Sequence, residues 1–179
     1  MIAESDGAPP GVFDRYDPGM VRRSLIAALF VLLPATAMAA APSRLDEAQV
    51  RAFVSRQSKA WNAGDLEGFY ALFTPDAVFS DSARAPDGEV FPYGSSGLSE
   101  AKAQSQRALA GAKAHETTTI RSVAIARDGG SARVVSREVS VITAHGRTRR
   151  SCAERVQTIV ATPKGLRSKG QADSIVRCR

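Results

Sequence analysis

Ala60-Trp61-Asn62-Ala63-Gly64-Asp65-Leu66-Glu67-Gly68-Phe69-Tyr70-Ala71-Leu72-Phe73-Thr74-Pro75-Asp76-Ala77-Val78-Phe79-Ser80-Asp81 is the stretch whose reading decides the fold. It joins the end of one helix to a short second helix, a turn and the start of a strand. Gly64 suits the left-handed position that closes a helix. Asp65 can cap the next helix, in which Leu66, Phe69, Tyr70, Leu72 and Phe73 are apolar over a wide arc and should be mostly buried. Thr74-Pro75-Asp76 stops that helix. Ala77–Asp81 then reads as a strand, with Ala77, Phe79 and Asp81 on one face by the two-residue period.

On the N-terminal side, Ser43 with Asp46 three positions on is close to a capping box. Val50, Phe53, Val54, Gln57, Ala60 and Trp61 follow on one helical face, with Arg51, Arg56 and Lys59 opposite. Gln57 is the polar exception on this stripe. On the C-terminal side, residues 82–96 are rich in Ser, Asp, Pro and Gly and read as a loop, with Glu89-Val90-Phe91 a short extended segment. Gly97–Ala112 is helical by composition and weakly apolar. From His115 the period changes to two. Thr117–Arg127, Ser131–Thr143, Arg147–Ala161 and Leu166–Arg177 read as strands separated by short Gly-containing turns, the signature of antiparallel hairpins. The order is helix, helix, strand, helix and a four-strand meander. It predicts an α+β fold, a curved antiparallel sheet wrapped over N-terminal helices to leave a conical cavity, the default ligand site.

The first 39 residues read differently. Met20-Val21-Arg22-Arg23, the apolar run Leu25–Leu33 and Ala37-Met38-Ala39 stand in the order of a secretory signal peptide, with cleavage after Ala39. The run is shorter than the about 20 residues that span a bilayer, so no stable membrane anchor is expected. Residues 1–19 are a disordered leader or lie before the true start at Met20. Residues 40–179 form the domain, and the expected location is periplasmic or secreted. An oxidising compartment permits Cys152 and Cys178, the only cysteines, to pair. A hairpin turning at Pro163-Lys164 sets Cys152 opposite residues 175 or 176, which leaves Cys178 about two positions out of register.

Charge is uneven. Residues 40–143 carry 12 Lys/Arg and 12 Asp/Glu, whereas residues 144–179 carry nine and two. The basic residues are spread along strands without interleaved aromatics, which argues for a solvated face and against nucleic-acid binding. An anionic partner is the sharper alternative.

The opening stretch, with Ala60–Gly68 followed by Ala71–Phe79, resembles the SnoaL-like part of the nuclear-transport-factor-2-like superfamily, whose pattern ketosteroid isomerases share. His115 before a strand and the C-terminal meander continue the likeness. The resemblance implies a cystatin-like cone fold that hosts isomerases, dehydratases, hydrolases and non-enzymatic modules, and often a homodimer packed through the sheet. It aligns Asp81 with the isomerases' proton-abstracting Asp. Gln57 stands where they carry an oxyanion-donating Tyr, and Glu154 is the residue nearest their second acid. Steroid isomerisation is therefore not expected.

From the residues themselves, Asp81 is the candidate general base, since a carboxylate facing an apolar cone has a raised pKa. Its alternative role is a solvated cap of the following loop. Gln57 is either an amide donor in the cavity or a buried amide paired to backbone. His115 can act as acid, base or ligand. Trp61, Tyr70 and Phe79 are core or cavity wall, and Tyr93 either closes the mouth or sits on the surface. No residue set has metal-ligand spacing, and no cofactor motif is present. Three functions stay open: a module binding a small apolar or amphipathic molecule, a general-base enzyme of isomerase, dehydratase or cyclase type using Asp81, and a sheet-mediated interaction or dimerisation protein.

Overall fold

Helix α1 (Glu47–Asn62) starts where the Asp46 carboxylate accepts from the Gln49 backbone N–H and the Gln49 side chain accepts from Asp46 N, in a computed structural model that describes residues 44–178. The capping box therefore lies one turn later than the Ser43–Asp46 reading, because Asp46 has the residue three positions on that completes it. Ser43 and the proposed leader and signal segments, 1–19 and 20–39, lie outside the described residues. Gly64 follows α1 in the left-handed conformation, at φ 71°.

Helix α2 (Leu66–Tyr70) is capped by Asp65, whose carboxylate accepts from Gly68 N at 2.8 Å. It ends three residues before the expected Phe73. Pro75 lacks an N–H and disfavours helix for Thr74, and Leu72 O instead accepts from Ser168 N at 2.9 Å. Phe73 thus already belongs to strand β1 (Phe73–Arg84), longer at both ends than Ala77–Asp81.

The expected loop 82–96 is mostly a hairpin. β1 turns through Ala85–Gly88, with Gly88 at φ 96°, into β2 (Val90–Gly97). Its Pro, Gly and Ser content is tolerated because β2 is an edge strand, where Pro92 need not donate on its open side. Helix α3 (Leu98–Ala108) and strands β3 (Lys113–Ile125), β4 (Ser131–Ala144), β5 (Arg147–Thr162) and β6 (Gly165–Val176) complete the order. The sheet runs β2-β1-β6-β5-β4-β3. Its neighbours are antiparallel except β1 and β6, which run parallel. Across that pair the register jumps from Phe73↔Ser168 to Val78↔Gly170, so β1 bulges at Thr74-Pro75-Asp76. Gly170, at φ 131°, is required there: a Cβ would meet Val78 O.

Two apolar clusters hold the layers together. Val50, Phe53 and Val54 of α1 pack with Ala132, Val134, Ile159 and Leu166 of the sheet. Phe69, Tyr70, Phe73, Ala77 and Ala101 form the second, extended by Trp61 and Phe79. Cys152 and Cys178 are joined in a disulfide with their Cα atoms 5.3 Å apart. Cys152 faces Val176 in the ladder, and the chain after β6 curls back two residues to reach it.

Candidate functional site

The open end of the cone is a cavity of about 260 Å³ between α2, α3 and the inner face of the sheet. One wall is aromatic, from Trp61, Phe69, Tyr70 and Phe79. Trp61 and Phe69 have ring centroids 5.0 Å apart, and Tyr70 and Phe79 5.8 Å. The Tyr70 hydroxyl donates to Ala101 O at 3.0 Å and is 2.8 Å from Ser105 Oγ, so its polar end is tied to α3. Burial raises its phenol pKa, against the bond to Ser105.

The floor is charged. Strand register sets Asp81, Asp173 and Arg155 side by side on β1, β6 and β5. Arg155 makes a two-pronged contact with Asp173, Nε to Oδ1 and Nη2 to Oδ2, each 2.8 Å. Its Nη1 and Nη2 also donate to the Glu116 carboxylate at 2.8 and 3.2 Å, and Nη1 lies 3.9 Å from Glu138. Burial alone would lower the Arg155 pKa, but the three carboxylates, Asp173 foremost, hold it well above the ordinary value. Fork-to-fork pairs of this kind are the strong form of charge-assisted hydrogen bond.

The carboxylates differ in their surroundings. Glu116 also accepts from Ser140 Oγ at 3.0 Å, and its backbone exchanges two hydrogen bonds with the Asn62 side chain. Asn62, in the opening stretch, thereby ties the end of α1 to the floor. Glu138 is buried and accepts from Ser136 and Thr118 at 2.5 and 2.6 Å. Burial lifts its pKa above the ordinary range, with Glu116 adding to the rise and Arg155 opposing it. Asp81, exposed at the mouth, makes no ion pair with the described residues. Partial burial and then the neighbouring Asp173 raise its pKa, against Arg155.

The other expected site residues fall in different places. Gln57 is buried, but it faces a separate void of about 10 Å³ behind the floor, together with Gln157. Neither polar atom of its side chain finds a hydrogen-bond partner among the described residues. It does not line the cavity with Asp81. His115 is exposed on β3 in a surface groove with Arg51 and Ser55, also away from Asp81. Glu154 lies on the outer face, 3.5 Å from Arg84. The other acids that join Asp81 in the cavity, Glu116, Glu138 and Asp173, come from β3, β4 and β6. Tyr93 is 62% exposed at the bulge where β2 carries one residue more than β1. Partial burial and the charges of Asp81 and Asp173 raise its phenol pKa, although it is not among the cavity-lining residues.

Sequence reading missed Arg155, Glu116, Glu138 and Asp173. A signal was present for two of them. Ala132, Val134, Ser136 and Glu138 alternate on one face of β4, and Ala153, Arg155 and Gln157 on one face of β5, so each charge falls in phase with inward positions. No group of His, Cys, Asp and Glu among the described residues is arranged to hold a metal ion.

Residues 42–165 match the family of SnoaL-like domains. No curated protein matches the chain. Similar solved structures include a conserved protein from Planctomyces limnophilus, 18% identical with a TM-score of 0.59, over 73% of this chain and 96% of that one. Aln2 from a Streptomyces species is 22% identical with a TM-score of 0.54, over 72% and 89%. A ketosteroid isomerase-like protein from Erwinia carotovora is 14% identical with a TM-score of 0.56, over 75% and 100%. At these identities the likeness is one of fold.

Proposed function

The chain belongs to the SnoaL-like domain family, and from that membership and its cavity we propose that the protein binds a small amphipathic molecule carrying a positive charge. The observation that carries this reading is the cavity lining: four carboxylates and one guanidinium lie beneath an aromatic wall. An ammonium entering the mouth meets Asp81, the acid without an ion pair among the described residues, and the rings of Trp61 and Phe79 in the cavity wall. Both attract a cation, the rings through their quadrupoles. The cavity is smaller than the about 300–1,000 Å³ common for drug-sized ligands, which favours a small one. The family hosts binding modules as well as enzymes, so binding needs no catalytic set.

Trp61, the only tryptophan, supplies the readout. Benzylammonium should quench its fluorescence saturably and bind about tenfold tighter than benzyl alcohol, and Asp81→Asn should remove that preference. Equal binding of the alcohol, or no response to either compound, would sink the reading.

A second reading, proton abstraction by Asp81, draws support from its raised pKa beside Asp173. Neither Gln57 nor His115 assists it, so Asp81 would act with the floor alone. NMR in deuterated water would then detect exchange of an acidic C–H of a small ketone, lost in Asp81→Asn. The third reading, an interaction protein with a filled cone, gains nothing from a cavity that stays open. We also propose a location outside the cytoplasm, which the Cys152–Cys178 disulfide supports.

A further inference from the structure

The opposite face of the sheet carries a second concavity, of about 500 Å³, with a different chemistry. Four of its lining residues are arginines, Arg84, Arg121, Arg137 and Arg177, and a single one, Glu154, is acidic. They come from β1, β3, β4, β5 and the chain just beyond β6. The turn Ala85–Gly88 closes one side.

Glu154 does not neutralise this set. Arg137 stands directly across from it in the β4–β5 ladder, yet the two form no ion pair, and the Arg137 guanidinium donates from Nη2 to Arg177 O at 3.0 Å. Among the described residues Glu154 pairs only with Arg84, at a loose 3.5 Å. Three guanidiniums are left in the concavity without a carboxylate partner among the described residues. Guanidinium is weakly hydrated, and its planar fork matches phosphate and carboxylate oxygens in pairs.

The terminus that brings Arg177 is fixed rather than free. Cys178, the next residue, is bonded to Cys152, which lies on the same face of β5 as Glu154 by the two-residue period. The disulfide and the hydrogen bond from Arg137 to Arg177 O hold the backbone of this arginine at the wall. Such preorganisation lowers the ordering cost of binding.

We propose that this concavity is an anion site for a small molecule bearing two or more phosphate or carboxylate charges, and that the disulfide assembles it. The site is independent of the inner cavity and of the cation reading.

Isothermal titration with pyrophosphate and with citrate, on the oxidised full chain at low salt, tests this. One-to-one saturable binding of at least one probe is expected. The double variant Arg121→Gln/Arg177→Gln should weaken it about tenfold or more, whereas Glu154→Gln, which removes the acid, should tighten it severalfold. Arg149→Gln, a charge change outside the site, should leave it unchanged. Reduction of the disulfide should weaken binding severalfold while circular dichroism stays folded. If reduction unfolds the chain, Arg177→Gln alone tests the terminus and should weaken binding. Absence of saturable binding by both probes, or an equal loss in Arg149→Gln, would overturn the proposal. So would retention of vesicles containing anionic phospholipid without binding of either soluble probe, which would move the chemistry to a membrane surface.

Discussion

In the inner cavity one guanidinium, Arg155, meets three carboxylates, whereas four guanidiniums line the outer concavity with a single carboxylate, Glu154, which pairs with Arg84. The difference follows from water. The Arg155 side chain is 12% exposed, so each charge beside it must be met by protein. Arg84 and Glu154 are nearly half exposed, and solvent screens what the protein leaves unpaired. One sheet therefore offers an electronegative cavity and an electropositive groove on its two sides.

The strongest way to break this contrast is Arg155→Met. It strands Glu116, Glu138 and Asp173 without their shared cation, and a urea unfolding curve should show a loss of about 3–5 kcal/mol. A loss under 1 kcal/mol would mean that the inner network is as weakly coupled as a surface pair. On the outer face the comparable blow is to the covalent link. Replacing both Cys152 and Cys178 by Ser should cost about 3 kcal/mol, in proportion to the loop that the disulfide closes, with the thermal midpoint as readout.

A gentler test uses protons. The carboxyls of Asp81 and Glu138 have folded-state pKa values above their ordinary ones, chiefly through burial. The folded chain therefore holds more protons than the unfolded chain in the range just above ordinary carboxylate titration. Their stabilising contribution is complete below the unfolded pKa and is lost as pH rises through the folded one. Stability followed by chemical denaturation from about pH 7 to about pH 5 should rise on this account. Glu138→Gln, whose amide oxygen can accept from one of Ser136 and Thr118 while its NH2 donates to the hydroxyl of the other, should flatten the slope and stabilise the protein at neutral pH. A steeper slope in that variant would reverse the assignment. The smallest effect belongs to Glu154→Gln, which removes an exposed, loose ion pair and should change stability by no more than about 0.5 kcal/mol.

Legibility in the sequence followed the same division. The helix caps at Gly64 and Asp65, the meander and the position of Cys152 opposite Val176 were readable, because each depends on neighbours in the chain or on one hairpin turn. The hairpin of residues 82–96 was not, since its composition is that of a loop and only pairing with β1 makes it a strand. Asp81 could be named as a carboxylate at the end of the opening stretch. Its company could not: Gln57 sits behind the floor and Glu154 on the far face, while Glu138 and Arg155 were hidden in plain alternation.

By itself the sequence determined every element except β2, and their order, because periodicity, caps and turn residues act over a few positions. The stretch from Ala60 to Asp81 specified a helix end, a turn and a cone-wall strand on those grounds alone. Only the tertiary structure decided which charges meet. The parallel pairing of β1 with β6 sets Asp81 beside Asp173 and Arg155, and the ladders of β3, β4 and β5 bring in Glu116 and Glu138. Cross-strand register is a property of distant segments packed against a common core, and no local pattern encodes it.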